Sequence, residues 1–389
     1  RHKNGCDQDG QANSEGNSEA GHAGKDNIFP VSSLVVLDLN IYIAGLMDDL
    51  AALQTSMYPR RAYERAARKI VLLPERLHDK STLPDIGKTA VRVIREVLAT
   101  GTSETASRAI DAGTQVAAVE ARRARREGFL SLAIARQVLA APGSKAVGLK
   151  DYRGDFQMHS QWSDGSRSIA EMAIACADRG YSHMAITDHT DGLKIARGLS
   201  AAGLAAQHRE IDEINAATEG RFRVIKGVEA NILADGSLDA PATHSGTGAA
   251  CELVLAAPHS KLDSEDDQTS RLVKAVSTPG VHILAHPSGR KFGKRDGIRA
   301  NWSAVFAAAA ANDVAIEVDG DPSRQDLSYS LIRQAHEAGC LIALDSDAHD
   351  TDELVFAEIA LAHARLAGIP AARVINTWTT QKLMGWLCR

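Results

Sequence analysis

From Tyr152 onward the sequence alternates short apolar runs with amphipathic stretches of ten to eighteen residues. The runs are Asp155–His159, His183–Asp188, Arg223–Glu229, Leu253–Pro258, Val281–His286, Ala315–Val318, Leu341–Asp345 and Val374–Thr377. Strand and helix alternating at this pitch build a parallel sheet or a barrel. Several of the stretches close on Gly180, Gly339 or Gly368, the residue type suited to a left-handed helix end. Six runs end in residues with metal-binding chemistry: Gln157, His159 and then Asp164; Asp188 and His189; Glu229; His259; His286; and Asp347 and His349, just after Asp345. The C-terminal ends of successive parallel strands are where a βα-barrel keeps its active site. So many buried imidazoles and carboxylates are costly unless cations satisfy them. His208, His336 and His363 fall on helical stretches instead.

The order of the motifs carries a resemblance. Asp155-Phe-Gln-Met-His159-Ser-Gln-Trp-Ser-Asp164-Gly, Thr187-Asp-His189, Gly227-Val-Glu229, Pro258-His259-Ser, Ala285-His286-Pro and Ser346-Asp347-Ala-His349 follow one another in the chain. With them, residues 153–389, about 60% of the chain, resemble the PHP (polymerase and histidinol phosphatase) superfamily. Gly289-Arg290-Lys-Phe-Gly-Lys294-Arg295 and Asn376-Thr-Trp378 look like the PHP domain at the C-terminus of bacterial family X DNA polymerases. The resemblance implies a distorted (β/α)7 barrel holding two to three divalent ions, Zn or Mn. One ion would take His159, Glu229 and Asp347; a second Glu229, His259 and His286; a third Asp164, His189 and His349. Gln157 stands where the family has the leading His of an HxH pair. A Gln carbonyl is a weaker, harder ligand that suits Mg or Mn better than Zn. Glu229, Asp347, His349 and Arg290 are the residues expected to carry catalysis, and Asp188 reads as a strand-end cap or a support behind His189. Arg290, Lys294 and Arg324 are candidates to contact a substrate phosphate.

The first third of the chain is different. Residues 31–126 read as all-α, with helical patterns at Leu34–Leu53, Arg60–Leu77, Thr89–Ala99 and Glu104–Arg126. Between Tyr58 and Arg126 there are 15 Lys and Arg against 8 Asp and Glu, a local net of +7. The whole chain carries -5, so the remainder carries -12. One basic module that meets a polyanion, beside an acidic module, fits that asymmetry. Leu83-Pro-Asp-Ile-Gly87 resembles the LPGxG hairpin of a helix-hairpin-helix, with Asp85 in place of a glycine. Gly87 and Lys88 would there present backbone N–H groups and a cation to a DNA phosphate. Arg122-Arg-Ala-Arg-Arg126 reads as a solvated helix face, and Val93 stands near the position of the lyase lysine of repair polymerases. Too few residues separate this module from Tyr152 to hold a polymerase palm.

Residues 1–30 are polar and Gly/Ser/Glu-rich, and read as a disordered tail or a gene-start artefact. Residues 127–150, around Ala141-Pro-Gly-Ser144, read as a linker, and 151–389 as the hydrolase domain. No stretch approaches the length of a membrane span. Five cysteines, Cys6, Cys176, Cys251, Cys340 and Cys388, form no CxxC pair, which fits a reducing cytoplasm. The expectation is a metal-dependent phosphoesterase acting on nucleic-acid ends, with DNA held by residues 31–126. The alternatives are a phosphomonoesterase of the histidinol-phosphatase type and a catalytically weak DNA-binding protein. The oligomeric state stays open.

Overall fold

The strand runs after Tyr152 consist of Val, Ile, Leu and Ala, side chains that fit a pleated surface buried on both faces. In the computed structural model, which describes residues 38–113, 115–142, 144–239 and 251–388, they form one parallel sheet. The amino-terminal part is helical: α1 (Leu39–Ala52), α2 (Met57–Val71), α3 (Lys88–Thr100), α4 (Glu104–Asp111), α5 (Val116–Ala124) and α6 (Leu132–Ala140). Then come α7 (Ile169–Asp178), β1 (His183–Ile186), α8 (Ala201–Ala217), β2 (Arg223–Asn231), β3 (Leu253–Ala257), α9 (Thr269–Val276) and β4 (Ile283–Leu284). The chain continues with α10 (Trp302–Ala311), β5 (Ala315–Asp319), α11 (Tyr329–Glu337), β6 (Ile342–Asp345), α12 (Ala357–Leu366) and α13 (Thr380–Leu387). The strands lie side by side in chain order, β1 through β6, every pair parallel.

Two expected strands take other forms. Residues 155–159 make a single ladder bridge, Met158 to Ala348, and still close the ring. Ala185 N and Thr187 N of the β1 side donate to Asp155 O and Met158 O, and His159 N donates to Ala348 O on the other side. The ladder is irregular because carboxylates take its donors: Phe156 N bonds Asp345 Oδ1, and Gln157 N bonds Asp155 Oδ1. At the other end Ile375–Thr377 is a 3-10 turn; Asn376 Oδ1 accepts from Leu344 N, where a strand would offer a backbone carbonyl.

Side chains alternate across the sheet with period two. Ile316, Val318, Ile342 and Leu344 point outward into one cluster with Leu272, Val305, Phe306, Ile332 and Leu361 of the surrounding helices. Ala185, Ile225, Leu255, Ile283, Ala315 and Ala343 point inward and pack with Trp378, Leu383 and Trp386. The carboxy-terminal helix α13 thus plugs the barrel floor with apolar groups. Polar inward-facing residues are left to the strands' C-terminal ends.

The amino-terminal helices form their own core, in which Ile43, Met47, Ile70, Val93 and Val97 are buried. The expected single helix over 104–126 is broken into α4 and α5 around Gly113. Arg122 to Arg126 is not a solvated face. Asp48 and Asp49 of α1 are buried, and Arg126 reaches them at 2.7 and 2.5 Å while Arg122 reaches Asp48 at 2.5 Å. The expected linker 127–150 contains α6, whose Leu132, Ile134, Ala135 and Val138 bury against Ile359 and Ala362 of α12. Its apolar face needs cover, and α12 supplies it. Cys176, Cys251 and Cys340 are buried free thiols, and Cys388 is exposed. Cys6 and residues 1–37 lie outside the described residues. Among the described residues no helix is long and apolar enough to cross a membrane.

Candidate metal centre

The strand ends bring the predicted ligands together around Glu229, the inward-facing residue near the end of β2. Its Oε1 lies 2.8 Å from His286 Nε2, 3.2 Å from His259 Nε2 and 3.2 Å from Gln157 Nε2. Its Oε2 lies 2.8 Å from His189 Nδ1 and 3.6 Å from His159 Nε2. His159 Nε2 also meets Asp347 Oδ1 at 3.1 Å. Asp164 Oδ1 stands within 3.5 Å of His349 Nε2, 3.6 Å of His189 Nε2 and 3.9 Å of His159 Nδ1. Two groups could each hold an ion: His159, Asp164, His189 and His349, and His189, Glu229 and His259. His159 stacks between His189 and His349, with ring centroids 4.4 and 4.3 Å away. The nine positions expected from the motifs therefore lie in one cluster. His189 faces both groups rather than a third one alone.

The donor set fits divalent cations. Gln157 Oε1 and His159 Nδ1 are buried without a hydrogen-bond partner. Such orphans are expensive in an interior and natural around a cation. Two imidazoles are oriented from behind: His259 Nδ1 donates to Asn231 Oδ1 at 2.5 Å, and His349 Nδ1 to Asp347 O at 2.8 Å. Both are thereby fixed with Nε2 free to act as a ligand. His286 and Asp347 sit at φ 26° and 53°, unusual for residues with side chains, and such strain clusters at functional sites.

The electrostatics follow from crowding. Burial works to raise the Glu229 carboxyl, but His189 and His259 outweigh it and hold it well below the usual range. Burial acts the same way on Asp347, and Arg324 with His159 overrides it downward. Asp164 is drawn down to about 2, chiefly by His349 against the upward effect of burial. His349 is pushed up to about 10 by Asp164 and Asp347, against burial. A concentration of carboxylate charge that attracts protons onto imidazoles attracts metal ions for the same reason.

Beneath the candidate ligands lies a layer of acids, of which the motif reading named only Asp345. Glu317 and Asp319 are fully buried on β5, as is Asp345 on β6, and burial pushes all three well above the ordinary carboxylate range. Glu317 Oε2 accepts the backbone N–H of His286. The signal was in Ala315-Ile-Glu-Val-Asp319, where acids alternate with apolar residues on a strand whose other face is core. The Asp188 carboxylate is taken up by donors of its own chain surroundings. It accepts from Ser160 N at 2.8 Å, Ser160 Oγ at 2.6 Å and Gln207 Nε2 at 2.6 Å, and also from Ser163 Oγ.

Of the basic candidates, Arg324 reaches the cluster, with Nη1 3.1 Å from Asp347 Oδ2 and its side chain 29% exposed. Arg290 and Lys294 turn away. The Arg290 guanidinium lies over the Phe129 ring, 4.1 Å from its centroid, and Lys294 pairs with Glu64 of α2 at 3.0 Å. The docked amino-terminal helices offer these cations nearer partners than the site does. At the hairpin, Asp85 adopts φ 59°, the left-handed conformation a glycine would take, beside Lys69 at 3.4 Å. Gly87 and Lys88 open α3 and are exposed.

Residues 155–320 match the family model described as the PHP domain. The matched stretch runs from the first apolar run through β5 and is similar to a PHP domain. Among relatives of this chain, the Bacillus subtilis DNA polymerase/3'-5' exonuclease PolX is 36% identical over 244 residues, 62% of this chain and 42% of that one. The chain thus spans less than half of that relative's length. A probable phosphatase of Citrobacter koseri is 26% identical over 212 residues, 51% of this chain and 79% of that protein. A histidinol phosphate phosphatase from Lactococcus lactis, solved with zinc, L-histidinol and phosphate, superposes with a TM-score of 0.41. It is 16% identical, over 56% of this chain and 94% of that one.

Proposed function

We propose that this protein is a metal-dependent phosphoesterase that acts on nucleic-acid ends, as a 3'-5' exonuclease or a related phosphodiesterase. The observation that carries the reading is the pairing of a buried His/Asp/Glu cluster with one partly exposed guanidinium, Arg324, at the open end of the barrel. Gln157, His159, Glu229 and Asp347 would hold one ion, Glu229, His259 and His286 a second, and Asp164, His189 and His349 a third. Bound divalent ions supply phosphoryl polarisation and a water nucleophile that is acidic enough to deprotonate near neutral pH. The protein's own part is to hold the ester in place. Arg324 has donors to spare beyond Asp347 and offers them to a phosphate oxygen. The apolar floor excludes water from below, and the Glu229 carboxylate fixes the spacing of the imidazoles around it.

Two features support nucleic acid as the substrate. The module between Tyr58 and Arg126 carries a net +7, and the Leu83–Gly87 hairpin presents an exposed helix N-terminus with Lys88. The PolX relative is named as an exonuclease. Against this, the engagement of Arg290 with Phe129 and of Lys294 with Glu64 favours a second reading, a phosphomonoesterase with a small substrate. Hydrolysis of a single-stranded oligonucleotide and of histidinol phosphate, each with Mn or Zn supplied, separates the two. Release of mononucleotides is expected; turnover of histidinol phosphate alone would favour the second reading, and turnover of neither would refute both. DNA affinity is further expected to fall steeply as salt rises.

A further inference from the structure

Arg324 sits on a loop held from outside the barrel. The residue after it, Gln325, takes φ 44° and is fully buried. Its side chain clamps one residue of the amino-terminal part: Leu130 N donates to Gln325 Oε1 at 2.8 Å, and Gln325 Nε2 donates to Leu130 O at 2.8 Å. His363 Nε2 of α12 completes the amide's partners at 2.8 Å. The preceding residue, Phe129, places its ring under Arg290, whose Nε donates to the carbonyl of Arg324 at 3.1 Å. Phe129 also meets Phe292 edge-on, with centroids 5.1 Å apart, and Phe292 N donates to Ser323 O at 2.8 Å. The next residue, Ser131, donates its N–H to Asp38 Oδ2 at 2.7 Å, and Asp38 is the N-cap of α1. Three consecutive residues therefore tie the first helix of the amino-terminal module to both flanks of the Arg324 backbone.

We propose that Phe129, Leu130, Gln325 and Arg290 are positioning residues that hold Arg324 at the mouth of the site, so that phosphate recognition depends on the docked amino-terminal module. The proposal rests on the reading of Arg324 as the phosphate contact. None of the four touches the His/Asp/Glu cluster. A buried amide with three satisfied hydrogen bonds is a rigid anchor, and withdrawing Leu130 would leave it unpaired. Arg324 would keep its charge and lose its direction.

The test uses the full chain and a simple diester, bis(p-nitrophenyl) phosphate, with inorganic phosphate as inhibitor. Phe129→Ala and Gln325→Ala are expected to raise KM and the phosphate inhibition constant about tenfold, with kcat within about threefold, the loss of one charge-assisted contact. Metal content should not change. Arg324→Ala should give the same pattern, and combining it with Phe129→Ala should add little, because the two act on one contact. If Phe129→Ala fails to fold, Phe129→Leu keeps the burial and removes the ring under Arg290. Wild-type KM and phosphate inhibition in the clamp variants, beside an impaired Arg324→Ala, would overturn the inference and leave the proposed function standing. An Arg324→Ala protein with unchanged KM and inhibition would instead remove the reading of Arg324 on which it rests. Were no ester hydrolysed at all, calorimetric titration of phosphate into the same variants decides it: equal affinity in all refutes the clamp.

Discussion

Glu229 carries more of the candidate centre than any other side chain, because its two oxygens face five side chains from four separate runs of the barrel. Its removal should take a ligand from two ion positions and leave His189 and His286 without their shared counter-charge. Glu229→Ala is expected to lose bound metal, measured by elemental analysis, and to lower hydrolysis at least about a hundredfold, beyond what a supporting residue costs. Retention of full metal content would place the centre elsewhere. Gln157 poses the opposite question. Its Nε2 donates to Glu229 while its Oε1 stands buried and unpaired. An amide oxygen is a poor match for Zn and carries no charge. Gln157→His is therefore expected to raise metal retention against a chelator and to increase turnover when metal is limiting. Equal retention at every metal concentration would mean that position 157 contributes no ligand.

Among the elements, the segment that follows the first run depends on one carboxylate. Asp188 pins Ser160 and Ser163, and so sets the path of the chain between His159 and Asp164. Asp188→Asn keeps the size but exchanges one acceptor for a donor facing other donors. Affinity for the ion held by His159, Asp164, His189 and His349 should fall about 10- to 100-fold, read by metal titration with the fold checked by circular dichroism. Unchanged affinity would reduce Asp188 to a strand cap. Helix α12 offers a test by pH. Burial first, then Arg290, pushes His363 down to about 3. An unfolded histidine protonates near 6.5, so between about 6.5 and 3 the unfolded state binds the extra proton. Stability then falls with falling pH, by about 1.4 kcal/mol per pH unit from this group. In urea unfolding between pH 7 and 5.5, His363→Gln should show a shallower loss than the wild type; parallel curves would exclude His363 as the cause. Much at this scale was legible in the sequence. Apolar runs with polar ends located β1 to β6, and most of the candidate ligands were legible because they stand at or just past the end of such a run. The irregular run at 155–159 was not legible. Its backbone donors are taken by Asp155 and Asp345, and the second of these lies far away in the chain. Arg122–Arg126 looked solvated for the same reason, since its partners sit on α1.

At the scale of the whole molecule, contacts between the helical module and the barrel run through charge as well as through Phe129. Arg68 meets Glu353 at 2.6 Å, Arg125 meets Asp296 at 3.0 Å and Lys294 meets Glu64 at 3.0 Å, all partly exposed and individually weak. Arg126 is different. Its side chain is 9% exposed, it pairs with Asp48 and Asp49, which are 6% and 1% exposed, and its guanidinium lies 5.6 Å from the Phe292 ring centre. It thus joins the first helix of the module to the basic loop of the barrel. Some of the module's positive charge is consumed inside the protein, and the cations left for a polyanion are those on α2, α3 and the hairpin. Removing one member of a buried ion network leaves uncompensated charge behind and costs about 3–5 kcal/mol. Arg126→Ala should therefore lower the melting temperature of the full chain, and raised pressure or temperature should release the amino-terminal helices before the barrel. Arg68→Ala should change the melting temperature far less, because an exposed pair contributes about 0–1 kcal/mol. Limited proteolysis between Arg126 and Tyr152 reports the same event directly. Faster cleavage there in Arg126→Ala, with the barrel fragment surviving, is the expected pattern. Equal losses for the Arg126 and Arg68 variants would mean that the buried carboxylates of α1 do not hold the two parts together.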